Sequence, residues 1–149
     1  MTPGDVRIRG LEEADYDYVV SLLGRRWGGP SGQRADPMSL YEFGEHALVA
    51  ESGGQVIGFL LGFVVHALGF IHLVGIDPTH RRRHVGQALY ERFTTKCAAA
   101  GVEELKAIAA VGNEASVAFH VALGFSAEEV EDYAGPGRAR LVFTKRLTE

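Results

Sequence analysis

The sequence predicts an α/β or α+β fold, a sheet with helices on its faces, in a single domain spanning residues 1–149. Two observations predict it. Short apolar runs alternate with helical spacings in the order strand, helices, three strands, helix, strand, helix, two strands. No repeat or low-complexity tail interrupts that order, and 149 residues can bury a core without disulfide staples.

The elements follow in turn. Val6 to Arg9 alternates apolar and charged residues, as a half-buried edge strand does. After Glu12, the residues Tyr16, Val19, Val20, Leu23 and Trp27 recur at helical steps until Gly28-Gly29-Pro30 breaks the pattern. Met38 to Phe43 predicts a short helix after Pro37. Ala47 to Glu51 and Gln55 to Val65 read as two strands joined at the turn signal Gly53-Gly54. Phe70 to Ile76 is a further strand that stops at Asp77-Pro78. Val85, Leu89, Phe93, Cys97 and Ala100 then mark one apolar helix face, which ends at Gly101. Leu105 to Ala110 is a buried strand. A helix starts at Asn113, with Val117, Val121 and Leu123 as its apolar members, and stops at Gly124. Ser126 to Tyr133 and Ala139 to Leu147 complete the sheet around the loop Ala134-Gly135-Pro136-Gly137.

Bulk properties narrow the function classes. The chain is 46% hydrophobic and 23% charged with a net charge of −4, which disfavours a nucleic-acid binder because such proteins carry a basic excess. The longest apolar stretch, Val56 to Phe70, is cut by Gly58, Gly62, His66 and Gly69 and is too broken to span a bilayer. One cysteine permits no internal disulfide. Met1 to Arg9 lacks the apolar core of a signal peptide. The expectation is a cytoplasmic protein without nucleic-acid or membrane partners.

The chemistry concentrates where the strand ending at Ile76 meets the helix opening at Val85. Between them lie Asp77-Pro78 and the basic run Arg81, Arg82 and Arg83. The free N–H groups and partial positive charge of a helix N-terminus attract phosphate, and arginines add charge that meets phosphate oxygens. Gly86 and Ala88 leave room for a ligand at that opening. A solvated strand–helix connection is the plainer alternative for the arginines. The endings of a P-loop and of a dinucleotide fingerprint are both missing.

Val74-Gly75-Ile76-Asp77-Pro78 followed by Arg81-Arg82-Arg83-His84-Val85-Gly86-Gln87-Ala88 resembles the GNAT superfamily of N-acetyltransferases, with His84 at the first family glycine. Asn113, Ser116, Phe119, His120, Gly124 and Phe125 match that family's second motif at the family's spacing, with His120 where tyrosine is usual. The resemblance implies a mixed, mostly antiparallel twisted sheet of six to seven strands flanked by about four helices. It also implies acetyl-CoA as cosubstrate, no metal, and direct transfer of acetyl to an amine. No cluster has metal-ligand spacing either. Cofactor contacts are then expected from Val74, Gly75 and Ile76, from Arg81 to Ala88, and from Asn113, Ser116 and Phe119, with the strand splaying at Gly75.

Amine attack on a thioester calls for a base, oxyanion donors and a means of releasing thiolate. Asn113, Ser116 and His120 are spaced to share one helix face. In the family that face looks at the thioester, so His120 is expected at the leaving sulfur, where an imidazole of pKa about 6.5 donates more readily than a phenol near 10. His72, two residues before Val74 and expected on the same strand face, is the candidate base, with a packed sheet histidine as the alternative. Cys97 is read as core, and His46, His66 and His80 as surface. Trp27, Tyr41 and Tyr133 are weaker acceptor-pocket candidates. The expected acceptor is the primary amine of a small molecule, an amino acid or analogue. Acetylation of a protein N-terminus or lysine and a silent CoA-binding sensor are the alternatives, and a homodimer stays open.

Overall fold

A computed structural model describes residues 6–23, 44–80 and 84–147. The short helix expected over 38–43, Trp27, Tyr41 and Arg81 to Arg83 lie outside the described residues. The described elements are β1 (Arg7–Gly10), α1 (Tyr16–Leu23), β2 (Leu48–Ser52), β3 (Gln55–Val65), β4 (Leu68–Ile76), α2 (Val85–Ala99), β5 (Glu104–Ala110), α3 (Glu114–Ala122), β6 (Ser126–Val130) and β7 (Arg140–Arg146). The seven strands form one sheet in the order β1-β2-β3-β4-β5-β7-β6. Only β4–β5 is parallel, so the sheet is mostly antiparallel, an α+β arrangement. No helix among the described residues is long and apolar enough to cross a membrane.

The strand boundaries have local causes. Gly53 and Gly54 both take positive φ, +59° and +79°, which is what a two-residue turn needs to join β2 and β3 with the sheet's twist. At the sheet edge, the Arg9 guanidinium grips Asp15 with Nη1 and Nη2 at 2.8 and 3.0 Å and reaches Glu51 with Nε at 3.1 Å. This ties β1 and the following turn to β2, and it holds the Asp15 carboxyl below its usual range.

Two cores lie on opposite faces of the sheet. On one face α2 buries Val85, Leu89, Tyr90, Phe93 and Cys97 against Leu48, Leu60, Ile71, Leu105 and Phe143. Ala100, expected on that helix face, is the exposed C-cap. On the other face Val19 of α1 packs with Val49, Phe59, Leu61 and Leu73. Phe93 fits because the two strands beneath it carry glycine. A Cβ on Gly62 would stand 2.5 Å from the Phe93 ring, and one on Gly69 would stand 2.8 Å from Cys97 Sγ. Gly62 and Gly69 therefore face α2, and the cross-strand pair Phe63 and Phe70 faces the other way.

Two irregularities in β4 shape the site. The β3–β4 register runs Leu61↔Leu73 and then Gly62↔Ile71, so His72 is an extra residue, a β-bulge. The parallel pairing of β4 with β5 runs from Leu68↔Glu104 to Ile71↔Ala107 and stops there. Beyond His72 the two strands separate, and the sheet has a gap between the end of β4 and the end of β5.

Candidate active site

The gap in the sheet, the opening of α2 and the α3 helix converge. The edge of β4 from His72 to Ile76 has no β5 partner in the register, so its backbone groups on that side are available to a ligand. After Ile76, Asp77 stops the strand. Its Oδ1 accepts from the Thr79 N–H and hydroxyl, both at 2.9 Å, and folds the chain into a short turn over Pro78–His80.

His84 then stands immediately before α2 in the left-handed region, with φ +58° and ψ +27°. Glycine adopts that conformation without strain. The backbone at 84 is therefore a glycine's backbone, which supports the motif register that begins at Arg81. Gly86, one residue into α2, lies under the Phe119 ring, and a Cβ there would sit 3.4 Å from it. The first-turn N–H groups at Val85, Gly86 and Gln87 have no partner within the helix. They border a cavity of about 400 Å³ whose other walls are Ile76, His80, His84, Phe119 and the end of α3 at Ala122 and Leu123. His80, read from sequence as a surface residue, thus lines the cavity, with Nδ1 3.7 Å from Asp77 Oδ2. A single histidine in a turn carries no spacing signal, which is why the sequence alone does not point to His80.

The second motif divides its work differently from the expectation. Asn113 is the N-cap of α3, and its Oδ1 accepts from the Ser116 N–H at 3.0 Å. Asn113 and Ser116 therefore reach His120 as a cap and a hydrogen-bond chain. Phe119 lines the cavity, whereas His120 is buried behind it, 6% exposed. The His120 ring stacks on Phe143 at 4.0 Å between centroids, with an interplanar angle of 2°. Its Nδ1 lies 2.8 Å from the Ser116 carbonyl oxygen, and its Nε2 lies 2.7 Å from the Tyr90 hydroxyl. A carbonyl only accepts, so Nδ1 carries the proton, and the neutral ring accepts from Tyr90 at Nε2. Burial pushes the His120 pKa down, against the smaller upward pull of the Ser116 carbonyl. Val121, expected on the buried face, is 53% exposed. The face toward the sheet follows 116, 120 and 123, and position 121 is a further 100° or so round the helix from His120.

His72 departs from expectation by the bulge. The extra residue resets the alternation, so Val74 packs toward the α2 core, while the His72 ring sits 5.6 Å from Phe63 and 6.5 Å from Phe70 on the opposite face. His72 and Val74 do not share a face. The imidazole is half-buried, has no hydrogen-bond partner among the described residues, and burial lowers its pKa. The strand splay, expected at Gly75, begins at His72. Tyr133 stands exposed on the turn between β6 and β7, away from the cavity. Cys97 is buried in the core with its thiol pushed up to about 11, as a structural cysteine is.

Known proteins share both the sequence pattern and this architecture. The model of the acetyltransferase (GNAT) family matches residues 16–125. An acetyltransferase from Sodalis glossinidius is 26% identical over 149 residues, covering 97% of each chain. Among solved structures, a ribosomal-protein-alanine N-acetyltransferase from Brucella melitensis superposes with a TM-score of 0.75 at 21% identity, covering 95% of this chain and 99% of that one. A phosphinothricin acetyltransferase from Sinorhizobium meliloti, solved in complex with acetyl-CoA, gives a TM-score of 0.75 at 17% identity, covering 97% and 89%. At those identities the structural likeness speaks for the fold.

Proposed function

The chain belongs to the acetyltransferase (GNAT) family and is an acetyl-CoA-dependent N-acetyltransferase, and from that premise we propose that its acceptor is the primary amine of a small molecule, an amino acid or an analogue of one. The observation that carries this reading is His72, a half-buried imidazole between Phe63 and Phe70 at the mouth of the gap in the sheet. An imidazole flanked by two aromatic rings beside the unpaired end of β4 suits a compact acceptor.

The residues divide into two sets on the two faces. On the α2 face, the first-turn N–H groups at Val85, Gly86 and Gln87, with His84 and Ala88 beside them, receive the pyrophosphate of acetyl-CoA. The unpaired edge of β4 through Val74, Gly75 and Ile76 holds the pantetheine arm and donates to the thioester carbonyl. Phe119 closes the cavity wall. Arg81, Arg82 and Arg83, which directly precede His84 in the sequence, add positive charge that favours a phosphate-bearing ligand.

On the opposite face His72 takes the proton of the attacking amine. Its lowered pKa keeps the ring neutral near pH 7, the form a base requires. His120 acts as a positioning residue. With both ring nitrogens engaged, it fixes Phe119 and α3 against α2. The thiolate then leaves without a dedicated acid, which a thiol of ordinary pKa about 8.5 permits.

Calorimetric titration with acetyl-CoA, followed by a thiol-release assay with amino acids, other small amines and peptides with free N-termini, tests the reading. Release with small amines supports it. Release with peptides alone assigns the enzyme to protein N-termini instead.

A further inference from the structure

Lys106 lies in β5 between Leu105 and Ala107, both of which are buried in the core under α2. Alternation therefore turns Lys106 to the opposite face, the face that carries Phe63, Phe70 and His72. The register places it beside Phe70 on the parallel strand and opposite Thr144 of β7. Phe63, Phe70, Lys106 and Thr144 thus form one row across four strands, one residue short of the gap, with the His72 ring over its first two members. Adjacent strands stand about 4.8 Å apart, so the lysine's four-carbon chain brings its ammonium within roughly 10 Å of the imidazole.

The charge on this row is one-sided. Lys106 is half-buried and forms no ion pair with any described residue. Glu104 shares the face but lies one row farther from the gap, opposite Arg146, and Glu128 stands on the edge strand opposite Val142. A half-buried cation that pairs with no described carboxylate favours an anionic partner. The neighbouring imidazole is neutral and suits an amine that must lose a proton. The two phenylalanines supply an apolar floor.

Resting on the small-molecule reading above, we infer that Lys106 is a specificity-determining residue that binds the carboxylate of the acceptor. The acceptor class is then an apolar or aromatic α-amino acid or close analogue. Its side chain lies on Phe63 and Phe70, its carboxylate meets the Lys106 ammonium, and its amine points to His72 and the gap.

The test compares free amino acids with their carboxamides, which keep the amine and the side chain but lose the negative charge. Wild type is expected to prefer the acid by about tenfold in kcat/KM, the size of one charge-assisted hydrogen bond. Lys106→Met should bring the acid-to-amide ratio close to one, mainly through KM for the acid. Lys106→Arg should restore much of the preference. Acetyl-CoA titration of each variant shows that it is folded and binds the cosubstrate. Equal use of acid and amide by wild type, or an unchanged ratio in Lys106→Met, overturns the assignment and leaves the small-amine reading standing. Turnover with peptides but with neither acids nor amides overturns both.

Discussion

The Tyr90 hydroxyl donates to His120 Nε2 across 2.7 Å in the buried seam between α2 and α3. The same imidazole donates from Nδ1 to the Ser116 carbonyl and stacks on Phe143 of β7. One side chain thereby couples two helices and the sheet. Tyr90→Phe keeps the packing but leaves Nε2 without a donor, and a buried unsatisfied acceptor costs about 1–3 kcal/mol. Urea unfolding should show a loss of that size with little change in acetyl-CoA affinity. An unchanged midpoint would mean that the bond contributes nothing to stability.

Stability should also depend on pH through the half-buried His72 and the buried His120. The folded pKa of His72 and of His120 lies below the ordinary value of about 6.5. Below that value the unfolded chain takes up protons that the folded chain resists, so stability is full above pH 6.5 and declines as pH falls through the folded values. Denaturation midpoints at pH 7.5 and 5.5 measure the decline, and His120→Gln should reduce it.

Turnover has its own pH signature. If His72 is the base, the acidic limb of kcat/KM falls below pH 6.5, because burial lowers this imidazole's pKa. His72→Gln should remove that limb and cut kcat by about a hundredfold or more. Acetyl-CoA affinity should stay near wild type, because the His72 ring faces away from α2. An intact limb in the variant would assign the proton to another group or to water.

Much of this was legible in the sequence. The order of elements, the Gly53-Gly54 turn, the apolar face of α2 and the two motifs each rest on local spacing that a single segment carries. What the sequence hid depends on pairing between segments. Nothing in Phe70-Ile71-His72-Leu73-Val74 announces a bulge, because the extra residue exists only relative to β3. His72 therefore read as sharing Val74's face. The burial of His120 was equally hidden, because its partner, Tyr90, lies thirty positions away on another helix. Apolarity alone suggested Val121 as core, whereas the polar His120 occupies that place because its nitrogens are satisfied inside.

Core packing gives a prediction free of the chemistry. In Gly62→Ala the new methyl meets the Phe93 ring at 2.5 Å, inside van der Waals contact and with Phe93 fully buried. Overpacking of this kind costs about 1–3 kcal/mol. The melting temperature should fall while acetyl-CoA still binds the folded fraction.

His84→Gly separates backbone from side chain at the opening of α2. The left-handed φ of +58° costs a histidine about 1 kcal/mol that glycine does not incur. The variant should be more stable by about that amount in denaturant titration. Its acetyl-CoA affinity reports whether the imidazole itself touches the ligand: unchanged binding means that position 84 contributes only its backbone.

The parting of β4 from β5 after Ile71 and Ala107 makes the sheet a doorway between two rooms. A wall of hydrogen-bonded strands ordinarily keeps its two faces strangers, yet here a narrow slot joins the side under α2 to the side bearing His72. Two molecules entering from opposite rooms need not queue. If acetyl-CoA lies on the α2 side and the acceptor beside His72, as proposed, neither blocks the other's exit and both are resident at once. A single compound occupying both rooms would have to be slender at its waist, with each end shaped for a different side of the sheet.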